Sequence, residues 1–345
     1  MIDETRAEDT SASPPVLTDG PVIDLLGGNL NSLIPPRSRP TDYGGAVLRG
    51  GVNCVHITLG IYARDIEHML DEFFDAYNQF EQMGDKLLHV ERVADIHEAR
   101  ESGRLGVILG FQGLDIFRHN TKFLAIFHRL GLRIAELTYN ESNMLGGGCL
   151  ESSDDGLTLL GIRMVRELKR AGILLDLSHA GVKTSMDAIE RYEGPVVFTH
   201  SNAYEVTPNP RNLTDDQIKQ AAATGGVIGL ASYSPFCHVE GKDRLDLDDY
   251  FRHIEYVAEL VGPEHVAIGS DITPQSKLVW ENATKRMYPD MVGPYILETE
   301  YVDGLETHAD FPVIPDGLRR RGFSEDEIRG ILGGNFIRVC EQIWD

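Results

Sequence analysis

Short apolar runs recur along the chain, and each stops at a turn or at a polar residue. They are PVIDLL (21–26), GVNCVHITL (51–59), LGVILGF (105–111), LRIAELTY (132–139), GILLDLS (172–178), PVVFTH (195–200), GGVIGLAS (225–232) and HVAIGSD (265–271). Near-continuous apolar character, rather than strict alternation, marks a strand covered on both faces, as in a parallel sheet. Between most runs the period becomes helical. RDIEHMLDEFFDAYNQFEQM places Ile66, Leu70, Phe73, Phe74 and Tyr77 on one face. LTLLGIRMVRELKRAG closes on Lys169, Arg170 and Gly172, a basic last turn before a glycine stop. SMDAIERYEG, TDDQIKQAAATGG and LDDYFRHIEYVAELVG behave likewise, with Thr214 or Asp215 placed to cap the second. Eight strand–helix repeats predict an α/β fold, a (β/α)8 TIM-like barrel. A doubly wound open sheet is the alternative, but no G-x-G-x-x-G follows the first run, which weighs against a dinucleotide fold.

The ends of the chain read differently. Residues 1–15 have the composition of a disordered tail, leaving 16–345 as a single barrel domain with C-terminal helices. In FSEDEIRGILGGNFIRVCEQIW, Ser324 and Glu327 form a capping box, Ile328, Ile331, Leu332 and Phe336 an apolar stripe, and Gly333–Gly334 a bend. The stretch 272–314, rich in Pro, Tyr and Asp, is expected to be a long loop over the barrel mouth.

Charge and cysteine usage narrow the class. A net charge of −22 repels phosphate, which excludes nucleic acid and anionic membranes as partners. The acidic N-terminus lacks the basic and apolar regions of a signal peptide, and no apolar run approaches the roughly 18 residues of a membrane span. Cys54, Cys149, Cys237 and Cys340 are scattered without a C-x-x-C pair, which fits a reduced compartment. The expected location is cytoplasmic.

In a barrel of this type, chemistry sits at the C-terminal ends of the strands. The residues there are Gln112 after the third run, Tyr139 and Asn140 after the fourth, His179 after the fifth, His200 after the sixth and Asp271 after the eighth. Two imidazoles on adjacent strand ends, with a carboxylate from a third, suit a single Zn²⁺. His56 lies inside its run and reads as a packed residue, Cys149 as a small residue in the turn GGGC, and His253 and His265 as surface residues.

GILLDLSHAGVKTSMDAI, PVVFTHSNAYEVTPNPRNLTDDQIKQAAATGGVIGL, HIEYVAELVGPEHVAIGSD and LRRRGFSEDEIRGILGGNFIRV resemble the membrane dipeptidase (renal dipeptidase) family of zinc metallopeptidases, over residues from about 20 to 343. The resemblance implies a TIM-like barrel of the amidohydrolase type with a two-zinc centre that cleaves dipeptides and some β-lactams. By it, His179 and His200 hold one zinc, and Asp271 binds the other and handles the proton of the attacking water. Arg211, in NPRN, grips the substrate carboxylate, a task suited to the guanidinium fork.

The chain departs from the family pattern at three places. Where the family's first strand ends in a His-x-Asp ligand pair, this chain has Leu26 and Gly28; the bridging glutamate is Gln112; and the strand-four histidine is Tyr139. A neutral amide bridges two dications poorly. His179, His200, Asp271 and the Gln112 oxygen remain, enough for one metal ion per chain, or none. Gln112, Tyr139, Asn140 and Asn143 suit orienting a ligand, with Tyr139 able to serve as an acid. The expectation is a metal-dependent hydrolase that cleaves an amide bond in a dipeptide or small amino-acid-derived molecule bearing a carboxylate, dimeric by analogy. A lyase or isomerase on the same scaffold, or a ligand-binding protein without turnover, are the alternatives.

Overall fold

All eight apolar runs form strands, and a ninth joins them. The computed structural model of the chain describes residues 14–29, 43–60, 65–273 and 299–344. The strands are β1 (Ile23–Asp24), β2 (Cys54–Leu59), β3 (Leu87–His89), β4 (Leu105–Gln112), β5 (Leu132–Glu136), β6 (Leu174–Asp176), β7 (Val197–Phe198), β8 (Val227–Leu230) and β9 (Val266–Ile268). Every pairing is parallel, in the order β1-β2-β4-β5-β6-β7-β8-β9. The first and last strands then meet: Leu25 N donates to Ile268 O (2.9 Å) and Asp271 N to Leu26 O (2.8 Å). The result is a nearly closed barrel. The unforeseen β3, too short for a period to register, pairs with β4 at Leu105–Val107, ahead of the register shift at Leu109/Gly110 where β5 takes over.

The helices are α1 (Tyr43–Arg49), α2 (Ile66–Gln82), α3 (Val93–Ser102), α4 (Phe123–Arg129), α5 (Leu159–Ala171), α6 (Val182–Tyr192), α7 (Asp215–Ala223), α8 (Leu247–Val261), α9 (Val313–Arg320), α10 (Glu325–Arg329) and α11 (Asn335–Cys340). Every residue of β2, β4 and β5 is buried, because helices cover one face and the barrel interior the other. That is why these strands read as unbroken apolar runs. No helix among the described residues is long and apolar enough to cross a membrane.

Local chemistry sets the helix ends. Gly172 stops α5 in the left-handed region (φ 73°), Thr214 caps α7 with Gln217 as its capping-box partner, and Ser324 pairs with Glu327 at the start of α10. The chain bends at the expected glycines through a π-type turn, Gly330–Gly334, where a Cβ on Gly333 would stand 2.3 Å from Pro21 O. Helix α2 departs from expectation. It buries Met69, Phe73 and Ala76, while Leu70 (44% exposed) and Phe74 (66%) face outward, so the packed stripe is rotated by about one residue. His253 also differs: it lies fully buried on α8 with its Nδ1 accepting Ala203 N–H (3.2 Å). The first 13 residues and 274–298, the middle of the expected long loop, lie outside the described residues.

Candidate metal and catalytic site

Strands β6 and β7 are neighbours, and each is followed within three residues by a hydroxyl side chain and then a histidine, Ser178–His179 and Thr199–His200. His179 and His200 are therefore brought together, with Nε2 to Nε2 at 2.9 Å. Their other nitrogens are already committed. His179 Nδ1 lies 2.7 Å from Asn140 Oδ1, which can only accept, so Nδ1 carries the proton. His200 Nδ1 lies 2.8 Å from Thr199 Oγ1. The Thr199 hydroxyl donates to Asp176, leaving its oxygen to accept from His200. Asp176 also accepts Ser178 Oγ (2.6 Å), Ser178 N (3.0 Å) and Thr199 N (3.1 Å).

Both Nε2 atoms therefore present lone pairs to each other. Burial holds both imidazoles well below their ordinary range, and the Arg211 guanidinium depresses them further. Each ring is therefore neutral, with its one proton on Nδ1. Two lone pairs at this distance call for an electrophile between them, and two nitrogens each about 2.0–2.1 Å from one tetrahedral zinc ion stand about 3.3 Å apart, a few tenths of an ångström wider than this pair.

The carboxylate that joins them is Glu136, the last residue of β5. One of its oxygens and one nitrogen from each histidine lie within 4.8 Å of one another, and no other such group of three His, Cys, Asp or Glu occurs among the described residues. Gln112, directly across the β4–β5 register from Glu136, donates from Nε2 to Glu136 Oε1 (3.4 Å) and lies 3.4 Å from His200 Nε2. Glu136 Oε2 is buried without a partner. Burial, and then the Asp176 carboxylate, push Glu136 well above the usual carboxylate range.

Glu136 is inconspicuous in the sequence because the apolar run containing it continues to Tyr139. A single carboxylate inside an otherwise apolar strand was the available signal. Asp271, expected to complete the histidine pair, lies outside this group; it follows β9, with β8 between it and β7. It is half-buried at a left-handed φ of 60°, a conformation unusual for a non-glycine residue and frequent at functional sites. Burial pushes its carboxyl up to about 7 against the pull of Arg211, with Asp24 adding to the rise.

Arg211 is 1% exposed and stacks over Phe236 at 5.1 Å. Its Nη1 donates to Ser178 O and to Ser201 Oγ (3.4 Å), and its Nη2 to His200 O (3.1 Å), while Nε has no partner. It thus braces the backbone beside both histidines. Tyr139 stacks on His179, with ring centroids 4.2 Å apart. Asn140, expected to touch substrate, spends its carbonyl on His179 and on the Cys149 thiol (3.6 Å). Asn143, also expected to orient a ligand, donates from Nδ2 to Leu137 O (2.8 Å) and accepts at Oδ1 from Leu145 N (2.8 Å), so its amide shapes its own loop. Cys149 follows the tight turn at Gly148, where a Cβ would come within 2.3 Å of Asn140 O. His56 is buried, with Nδ1 at 2.6 Å from Leu25 O and Nε2 unpartnered against Gly110.

At the end of β1, Leu26 and Gly28 offer no ligand atom in their side chains. Asp24 is taken up by Ser270 N (2.8 Å), the Ser270 hydroxyl and His308 Nε2 (2.9 Å).

The profile of Membrane dipeptidase (Peptidase family M19) matches residues 26–293. Dipeptidase aclJ of Aspergillus oryzae is 30% identical over 81% of this chain and 61% of its own length. An uncharacterized dipeptidase of Schizosaccharomyces pombe is 33% identical over 70% of this chain and 54% of its own. The chain thus spans a little over half the length of these relatives. The crystal structure of an amidohydrolase from Pseudomonas aeruginosa superposes with a TM-score of 0.84 at 28% identity, covering 95% of this chain and 98% of that one.

Proposed function

The chain belongs to the membrane dipeptidase family, and on that premise we propose that it is a metal-dependent hydrolase that cleaves an amide bond in a dipeptide or a similar small substrate with a free carboxylate. The observation that carries this reading is the pair of Nε2 atoms 2.9 Å apart, with each ring's Nδ1 held from behind by an oxygen. His179 and His200 would hold a zinc ion, which supplies polarisation of the scissile carbonyl and acidification of the attacking water.

The remaining roles fall to the chain's own side chains. Asp271, with a carboxyl near 7, is tuned to take a proton from water and return it to the leaving amine near neutral pH. Arg211 keeps one unpartnered N–H, at Nε, for a substrate carboxylate, while its other contacts fix the backbone under both histidines. Tyr139 covers one face of His179 and restricts water there.

The test is hydrolysis of a panel of unblocked dipeptides and their C-terminal amides, before and after chelation and zinc restoration. Cleavage of the free-carboxylate forms, abolished by chelator and restored by zinc, is expected. A zinc-loaded protein that cleaves none of the panel refutes the proposal.

A further inference from the structure

Resting on the reading of this site as a metal centre, we propose that the ligand carboxylate has moved one strand along the sheet. Glu136 of β5 is the third ligand beside His179 and His200. Gln112 of β4 is a positioning residue that steers Glu136, and the centre takes one cation per chain.

The two residues are register partners at the ends of adjacent strands, so their side chains leave the sheet at the same height. The Gln112 amide donates toward Glu136 Oε1 at 3.4 Å, which orients that carboxylate while contributing no charge of its own. The immediate surroundings are rich in acceptors. Gln112 Nε2 lies 3.4 Å from both Glu136 Oε1 and His200 Nε2, His179 Nε2 stands 2.9 Å from His200 Nε2, and Glu136 Oε2 receives no hydrogen bond from a donor. A buried oxygen without a donor is costly unless something positive meets it. Asp176, the other carboxylate close by, is saturated by four donors from Ser178 and Thr199 and is not free to bind.

A second cation would need ligands from the end of β1. Leu26 and Gly28 stand there, and Asp24 is engaged by Ser270 and His308. One carboxylate and two neutral imidazoles match a mononuclear centre with a position left for substrate or water.

The experiment measures zinc stoichiometry and affinity by competition with a chromophoric chelator, together with the visible spectrum of the Co²⁺-substituted protein. The variants are Glu136→Gln, Gln112→Ala, Gln112→Glu and Asp271→Asn, each checked for folding by circular dichroism. The parent should bind one cation. Glu136→Gln should lose affinity by about 100-fold or more, and Gln112→Ala by about tenfold with a shifted Co²⁺ spectrum and unchanged stoichiometry. Gln112→Glu should bind more tightly yet still take one cation, and Asp271→Asn should stay within a few-fold of the parent. Undiminished affinity in Glu136→Gln, loss of the cation in Asp271→Asn, or two cations in the parent or in Gln112→Glu overturns the inference while leaving a metal centre in place. A parent that binds no cation overturns both this inference and the function it rests on.

Discussion

Asn140 offers a sharp test of how the site is held. Its Oδ1 receives the Nδ1 proton of His179 at 2.7 Å, and both side chains are buried. Replacing Asn140 with Leu removes the acceptor and keeps the volume. The Nδ1–H is then stranded, at a cost of about 1–3 kcal/mol. The ring can escape that cost by moving its proton to Nε2, which takes away the lone pair aimed at His200. Either way cation binding weakens. Loss of an outer partner of a ligating histidine typically costs about 10–100-fold in affinity, or about 1.4–2.8 kcal/mol at 1.4 kcal/mol per decade. Competition titration reads the affinity, and ¹⁵N NMR of the imidazole nitrogens reads the tautomer. Cys149→Ala is the control, since that thiol also donates to Asn140 (3.6 Å) and its loss should leave affinity unchanged. A zinc affinity for Asn140→Leu within twofold of the parent, with His179 still protonated at Nδ1, would refute this account of the site.

Two further outcomes concern pH. The pH profile of kcat/KM should show an acid limb near pH 7, because the proposed role of Asp271 needs its ionised form and burial has raised its carboxyl to about 7; a limb unchanged in the residual activity of Asp271→Asn excludes this residue as its source. Burial holds His253 at about 3, so the folded chain keeps it neutral while the unfolded chain protonates it below about 6.5. The contribution of His253 to stability is complete above pH 6.5 and is lost as pH falls toward 3, at up to about 1.4 kcal/mol per unit. Urea midpoints of the parent should therefore drop more steeply with acid than those of His253→Gln, and parallel slopes would contradict the assignment.

Much of the architecture is visible in the sequence because burial on both faces leaves the same mark on every barrel strand. The apolar run gives the strand, and the first polar residue after it gives the mouth. That rule located His179 and His200. It does not reach Glu136, where the carboxylate beside the histidine pair is the last residue of β5 itself and the apolar run continues past it to Tyr139. It also says nothing of what a polar side chain touches. Asn140 and Asn143 look alike in the sequence, yet one aligns an imidazole and the other closes a loop. Helix α2 shows a related limit. With Phe73 and Phe74 adjacent, several apolar stripes compete, and contact with Phe111 and Phe127 decides which is buried. His253 was misplaced because amphipathic spacing does not reveal that a ring nitrogen will meet a backbone N–H.

The joint between β1 and β9 is made differently from the rest of the wall. Elsewhere neighbouring strands form parallel ladders; here Leu25 and Asp271 supply backbone links, and the Asp24 carboxylate serves as a rivet to Ser270 and His308. Among the described residues, no ladder of strand pairs closes the wall at this joint. Asp271 stands on that joint, whereas the imidazole pair stands on β6 and β7, away from it. Widening of the wall would thus carry the proposed proton acceptor outward and leave the two histidines in register, so that a larger molecule could be admitted on one side without loosening the grip on the other.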